Sequence, residues 1–423
     1  MREIIPEFTV KFTRFGSGER FPVLLDKRGL PLCEPISYFQ SKRRLAASTL
    51  ESKARILAMV HNFLRAYDID IEKRVLEGRV LDYAEASALR DYMRSIGRRT
   101  EAIRTRRKRE DPKAPTKDVV ELHEWYRRRV CAASYLEWLT DVLKNKLTVP
   151  PQVCERIGVE IKKTKTLIVD DSKPRDNPAP AALSPEQGLV LLGAIRPGSE
   201  TNPFPEVHQL RNFALIATYW ENGLRKSEVL ALKCEDLSAE GEPPTLALVS
   251  RPNDPDETRA RPASVKTMPR PVPITPILHG VLTEYINRSR RLTQGALQAR
   301  GDKAALKRFK SNPYIFVSSQ GSALSSSSVH KIFDTLRMRT TDLPVHLSPH
   351  ALRRTWNDMF TELCRDTATG PRETILREFL MGWVRGSPQA ARYTRQSTQR
   401  EASRVILEMQ QEWMERREAG NEI

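Results

Sequence analysis

Six polar and aromatic residues stand out in the second half of the chain: Arg225 in GLRKSEVLAL, Lys266 in SVKTMPRPVPI, His350 and Arg353 in SPHALRRT, Trp383 in LMGWVR, and Tyr393 in AARYTR. Two arginines, a lysine and a histidine are the groups a phosphodiester needs around it if a tyrosine hydroxyl is to attack it. Such an attack requires an in-line nucleophile, stabilised charge on the non-bridging oxygens, and a proton for the leaving oxygen. The planar, permanently charged guanidinium makes bidentate contacts with phosphate, so Arg225 and Arg353 are the candidates for the second task. An ammonium can protonate a departing 5′-oxygen, for which arginine is too weak an acid; Lys266 is the only lysine between Lys233 and Lys303.

The elements that would position these groups are partly written in their neighbours. Ser348 and Pro349 form a helix start, as N-cap and first helical residue, which puts His350 in a first turn whose amides and dipole favour an anion. His350 and Arg353 then share a face, Leu352 turns inward and Arg354 points elsewhere; His346 is a competing histidine. Leu224, Val229, Leu230 and Leu232 fit a helix on which Glu228 lies three residues beyond Arg225, placed to orient it by an ion pair. Lys266 falls on or beside a hairpin made of TLALVS and RPVPI, whose connection is lengthened by Arg251–Pro262. Taken singly, each residue has a plainer use. An Arg–Glu pair at that spacing is commonly a surface ion pair, a loop lysine is commonly solvated, and most tyrosines pack with the hydroxyl at the surface.

In combination, the order and flanks of the six resemble the tyrosine recombinase (phage integrase) family. GLRKSEVLAL resembles its first arginine box, and HALR its second. KT ahead of RPVPI resembles its hairpin-lysine segment, and LMGW followed by YTR its nucleophile box. Two departures occur in the last box: Trp383 stands where histidine is usual, and one extra residue, in VRGSPQ, separates it from Tyr393. The resemblance covers residues 184–415 by motif and is looser over 41–146, where YRRRVCAASYLEWL is similar to the family's core-binding domain.

It implies a site-specific DNA recombinase or integrase serving integration, excision or transposition of a mobile element. Tyr393 would be the nucleophile, forming a 3′-phosphotyrosyl link and freeing a 5′-hydroxyl. Arg225 and Arg353 would grip the phosphate, His350 would assist proton transfer at the tyrosine, Lys266 would protonate the leaving oxygen, and Trp383 would donate its indole N–H to the phosphate. The covalent link conserves the phosphodiester's energy, so neither ATP nor a metal or other cofactor is expected. The partners implied are double-stranded DNA and a homotetramer on two DNA sites, with accessory DNA-bending or directionality proteins. Two other readings stay open: a type IB topoisomerase-like relaxing enzyme, and a DNA-binding regulator of the same fold without activity. The second has no need of Tyr393 or Lys266.

The bulk properties agree with a nucleic-acid partner. At 423 residues the chain suggests two or three domains. Its formal charge of +17 points to a polyanion. No run of 18 apolar residues and no signal-peptide core is evident, and the five scattered cysteines form no CxxC pair, so a cytoplasmic protein with reduced thiols and no metal site is expected.

The fold class read from these patterns is mainly α with a small β-hairpin or sheet (α+β), which the resemblance implies to be a two-lobed DNA clamp. Residues 1–35 alternate as short strands and form an arm to which no role is assigned; 36–172 form a helical core-binding domain. Its helical pattern begins near Ser41, with further helices over Tyr83–Ile96 and about Lys117–Lys144. Between the latter two lies a basic run, Arg98, Arg99, Arg104, Arg106, Arg107, Lys108 and Arg109, either a solvated loop or a phosphate-tracking segment. Residues 173–183 are a proline-rich linker, ending at the helix start Ser184-Pro185-Glu186-Gln187 of a catalytic domain over 184–423. Its last helix, with Val405, Ile406, Met409 and Trp413 as an apolar stripe, packs either on its own domain or on a neighbouring subunit in an exchange.

Overall fold

The structure is a computed structural model, and it describes residues 4–95, 119–170, 173–174, 182–364, 371–387 and 406–407. The chain divides into two compact units, Met1–Asn177 and Pro178–Ile423. It is mostly helical with two small antiparallel sheets, an α+β protein. Among the described residues no helix is long and apolar enough to cross a membrane.

The first unit opens with strands β1 (Thr9–Arg14) and β2 (Arg20–Leu25), paired in the register Thr9↔Leu25 to Arg14↔Arg20. This hairpin is part of the unit's body: Phe21 and Leu24 are buried in the same core as the helices. The Asn62 side-chain carbonyl also accepts the amides of Glu7 (2.7 Å) and Phe8 (3.1 Å). Helices follow: α1 (Cys33–Ser41), α2 (Ala47–Ala66), α3 (Ile71–Leu76), α4 (Tyr83–Tyr92), α5 (Leu122–Lys146) and α6 (Pro151–Val169). The helical pattern expected from Ser41 is thus two helices, the first beginning at Cys33, with turns between Lys42 and Leu45 separating them. Tyr38, Tyr135 and Trp138 form an aromatic knot joining α1 to α5, with Tyr38 ring centroids 5.3 and 5.2 Å from the other two. Helix α6, not anticipated from sequence, has Pro151 in its first turn and buries Ile157, Ile161 and Ile168. The basic run Arg98–Arg109 lies outside the described residues.

The second unit begins with α7 (Pro185–Ile195), where Ser184 and Gln187 make the reciprocal capping box their spacing predicts. Then come α8 (Glu206–Asn222), α9 (Lys226–Ala231), and a sheet of β3 (Leu237–Ser238), β4 (Thr245–Leu248) and β5 (Arg270–Pro273) in the order β3-β4-β5. The β4–β5 register, Leu246↔Val272 and Leu248↔Arg270, sends Val272 and Arg270 to the buried face. After the sheet run α10 (Pro276–Glu284), a π-helical turn Tyr285–Ser289, α11 (Arg290–Ala299), α12 (Lys303–Lys310), α13 (Ser326–Arg339), α14 (Pro349–Cys364) and α15 (Pro371–Met381). Leu215, Tyr219, Leu224, Val229, Phe333 and Leu352 are among the fully buried residues that bring α8, α9, α13 and α14 into one core. Burial of each such side chain contributes about 1.5–3 kcal/mol, which sets the stage on which the charged residues are held.

The long β4–β5 connection is tied down by its own charges. Arg259 and Glu257 are buried against each other, and Arg259 also donates to the Leu230 (2.8 Å) and Leu324 (3.1 Å) carbonyls. Lys233 bridges Asp254 (3.1 Å) and Asp256 (2.7 Å), Tyr314 donates to Asp254 (2.9 Å), and Arg251 grips Asp236. Each cation of this network has a carboxylate of its own.

Candidate active site

Five of the six residues singled out from sequence fall among the described residues, all in the second unit; Tyr393 lies outside them. The assembly is built around Glu228, which is 1% exposed. Arg225 is the N-cap of α9 rather than a member of the helix, with extended backbone (φ −71°, ψ 148°). The reason is local: the Glu228 carboxylate turns back to accept the Arg225 amide at 2.7 Å, closing the first turn. Its other oxygen stands 3.4 Å from Arg225 Nη1.

Two further guanidiniums approach the same carboxylate, Arg270 Nη2 at 3.7 Å and Arg353 Nη1 at 3.9 Å, and Thr267 Oγ1 donates to it at 2.6 Å. Arg353 comes from α14, whose start is the one expected: Ser348 Oγ accepts the Ala351 amide, and Pro349 is the first helical residue. Arg353 is 1% exposed; its Nη1 donates to the Gly223 carbonyl at 2.7 Å, and its guanidinium lies 5.6 Å from the Trp383 ring. Gly223 ends α8 in the left-handed conformation (φ +56°), and a Cβ there would run into Trp356, so this turn needs glycine.

His350 sits at the exposed mouth of the site. Desolvation by the surrounding protein, with the charges of Arg354, Arg353 and Arg225, pulls its pKa down to about 4, so the imidazole is neutral at neutral pH. Lys266 is exposed and stands one residue before Thr267, which anchors its loop to Glu228.

Sequence reasoning passed over Arg270, although the sheet makes it part of the site. It is 6% exposed, donating through Nε to the Leu380 carbonyl (2.8 Å) and through Nη1 to Thr267 Oγ1 (3.2 Å) and the Met268 carbonyl (3.3 Å). The signal was available: in RPVPI, alternation puts Arg270 on the inward face with Val272. The turn after α15 is gripped from the same side. Arg225 Nη1 donates to the Met381 carbonyl (3.3 Å) and the Met268 amide to the Gly382 carbonyl (3.2 Å). Farther along, Glu378 accepts the Gly386 (2.7 Å) and Ser387 (3.2 Å) amides. What results is a cluster of three guanidiniums on one carboxylate with a neutral imidazole nearby, a charge arrangement suited to an anionic ester.

Residues 199–400 match the model described as "Phage integrase family". No curated protein matches. Among solved structures, the chain is similar to the XerH site-specific recombinase bound to palindromic difH substrate in a post-cleavage complex. That likeness has a TM-score of 0.51 at 16% identity and covers 86% of this chain and 82% of that one, and it speaks to the fold alone. The Tn1549 transposon integrase in complex with circular intermediate DNA aligns at 12% identity and TM-score 0.44, over 85% of this chain and 96% of that one. It is residues 199–400 that carry the match to the phage integrase family, the tyrosine recombinases.

Proposed function

We propose that this protein is a site-specific DNA recombinase that breaks and rejoins strands for the integration, excision or transposition of a mobile element. The observation that carries the reading is the gathering of Arg225, Arg353 and Thr267 of the Lys266 loop on the buried Glu228 carboxylate, with Trp383 against Arg353 and His350 within the field of both arginines. The Tyr393 hydroxyl attacks the scissile phosphorus, a phosphotyrosyl bond forms at the 3′ side, and the bond to the 5′-oxygen breaks. Arg225 and Arg353 stabilise the charge on the non-bridging oxygens. Lys266 gives its proton to the departing 5′-oxygen, and His350, neutral in the free protein, accepts a proton near the tyrosine. Attack by another strand's 5′-hydroxyl reverses these bond changes and seals the backbone. Since Arg353 is 1% exposed, protein atoms over it withdraw as the strand enters.

Double-stranded DNA is the substrate, with the basic run Arg98, Arg99, Arg104, Arg106, Arg107, Lys108 and Arg109 tracking phosphates. The working assembly is a homotetramer on two sites. An apolar groove of about 930 Å³ lined by Trp220, Trp356, Met359, Phe360 and Leu363 is a seat for the C-terminal stripe of a neighbour, of which Ile406 is 52% exposed. The test is covalent attachment on nicked duplexes spanning the DNA on either side of the gene. Tyr393→Phe is expected to abolish the adduct while DNA binding stays within about threefold, because only the nucleophilic oxygen is lost. Adduct from the variant would sink the assignment of Tyr393.

A further inference from the structure

We infer that Arg270 is a positioning residue that locks the loop carrying the general acid to the turn leading to the nucleophile, so that the two reach the phosphate as one unit. The inference rests on the recombinase reading and adds to it a residue with no contact to substrate. Its geometry is two-sided. On one side the Arg270 guanidinium holds Thr267 Oγ1 and the Met268 carbonyl, the two residues after Lys266. On the other its Nε holds the Leu380 carbonyl, three residues before Trp383 and thirteen before Tyr393.

The joint is reinforced around it. The Met268 amide donates to the Gly382 carbonyl at 3.2 Å, and Arg225 holds the Met381 carbonyl between them, so three successive carbonyls, 380 to 382, are fixed by three residues, Arg270, Arg225 and Met268. Gly382 has φ +62°, and a Cβ there would collide with the Arg270 guanidinium and come within 2.9 Å of Thr267 Cβ. The contact is therefore backbone against side chain with no room for a methyl group. A joint of this kind transmits displacement, because close-packed groups cannot slide without losing their hydrogen bonds.

Sulfur substitution at the leaving oxygen separates this role from a merely structural one. A 5′-bridging phosphorothiolate departs as a thiolate and needs no proton, so it restores a missing general acid but not a misplaced nucleophile. Single-turnover attachment is measured for the full chain on nicked flanking duplexes, with oxygen or sulfur at the bridge. Lys266→Ala should be slow on oxygen and within about twofold of wild type on sulfur. Arg270→Lys should lose about a hundredfold on oxygen and regain only about tenfold on sulfur, since both ends of the joint shift. Complete recovery on sulfur would mean Arg270 serves Lys266 alone. No recovery would mean it serves only the turn or the general scaffold, and no loss would mean it serves neither; each result overturns the inference.

If Arg270→Lys does not bind DNA as wild type does, Met268→Pro decides by the same criterion of partial recovery. That change removes one amide donor from a residue that is 58% exposed. Failure of the underlying reading looks different: the wild type then forms no adduct, or Tyr393→Phe still does, and the inference falls with it.

Discussion

Two charge-rich regions of the second unit sit a few residues apart in sequence and are built on opposite plans. Around the β4–β5 connection, Lys233, Arg251 and Arg259 each have their own carboxylates, and Asp254, Asp256, Asp236 and Glu257 close the pairs. Around Glu228, three guanidiniums from three elements share one carboxylate among the described ion pairs. The titration behaviour follows. In the connection, hydrogen bonds to Asp256 and Asp254 hold the Lys233 pKa above its ordinary value against the cost of burial, and Asp236 raises that of Arg251. At the site the direction reverses: burial, with Arg225 nearby, pulls Arg270 down, and desolvation by neighbouring protein plus three arginines pull the exposed His350 down. The two regions thus differ in how their charge is shared: carboxylates of its own for each cation in the first, three guanidiniums on Glu228 in the second.

The difference can be broken or sharpened by substitution. Glu228→Ala should have the largest effect, because it removes the one carboxylate that three guanidiniums share; a stability loss of about 3–5 kcal/mol is expected in urea unfolding. A loss below about 1 kcal/mol would mean the guanidiniums are held by other contacts, and that the carboxylate is not the hub. Next in size, Arg225→Ala and Arg353→Ala should each slow single-turnover cleavage by about a hundredfold or more, as for loss of an oxyanion donor. Arg354→Ala should do far less; an equal defect would show that the wrong face of α14 was assigned to the phosphate.

In the neutralised region the consequence should be thermodynamic only. Tyr314→Phe removes the 2.9 Å bond to Asp254. It is expected to cost about 1 kcal/mol of stability and to leave the cleavage rate within about twofold. A large rate defect would show that the two regions are not independent.

The smallest effect is a proton. His350 titrates near 4 rather than the ordinary 6.5 in the free protein, and a phosphate among the arginines cancels part of the charge responsible. DNA binding should then take up a fraction of a proton between about pH 4 and 6.5 and strengthen as pH falls through that window. Calorimetry in buffers of different ionisation enthalpy measures this uptake, which should vanish in His350→Ala. The same depressed value makes the neutral form the folded one, so its contribution to stability is full above about 6.5 and declines as pH falls toward 4.

Much of the frame was legible because it is local. Ser184 with Gln187 and Ser348 with Pro349 specify helix starts within four residues, and both form. The alternation in TLALVS and RPVPI specifies a hairpin, and the strands pair. What escaped depends on contacts distant in sequence. That Glu228 meets Arg270 and Arg353, 42 and 125 positions away, follows from packing of β5 and α14 on α9, which no spacing rule encodes. Arg270 escaped for a further reason, since an arginine in a strand reads as solvent-facing unless a buried acceptor is known. The charges of the β4–β5 connection looked like an ordinary polar loop, because pairing between Lys233 and Asp254 or Asp256 appears only once the loop folds back.

The Gly223 peptide has a consequence for the entropy of binding. Its carbonyl holds Arg353 at 2.7 Å, and it lies two residues before Arg225, so one turn fixes the Arg353 guanidinium and the backbone from which the Arg225 side chain extends. An arginine free in solution carries about 2 kcal/mol of rotamer freedom that a phosphate contact would have to suppress. Here most of Arg353's share is surrendered when the chain folds, leaving little for an incoming strand to restrain.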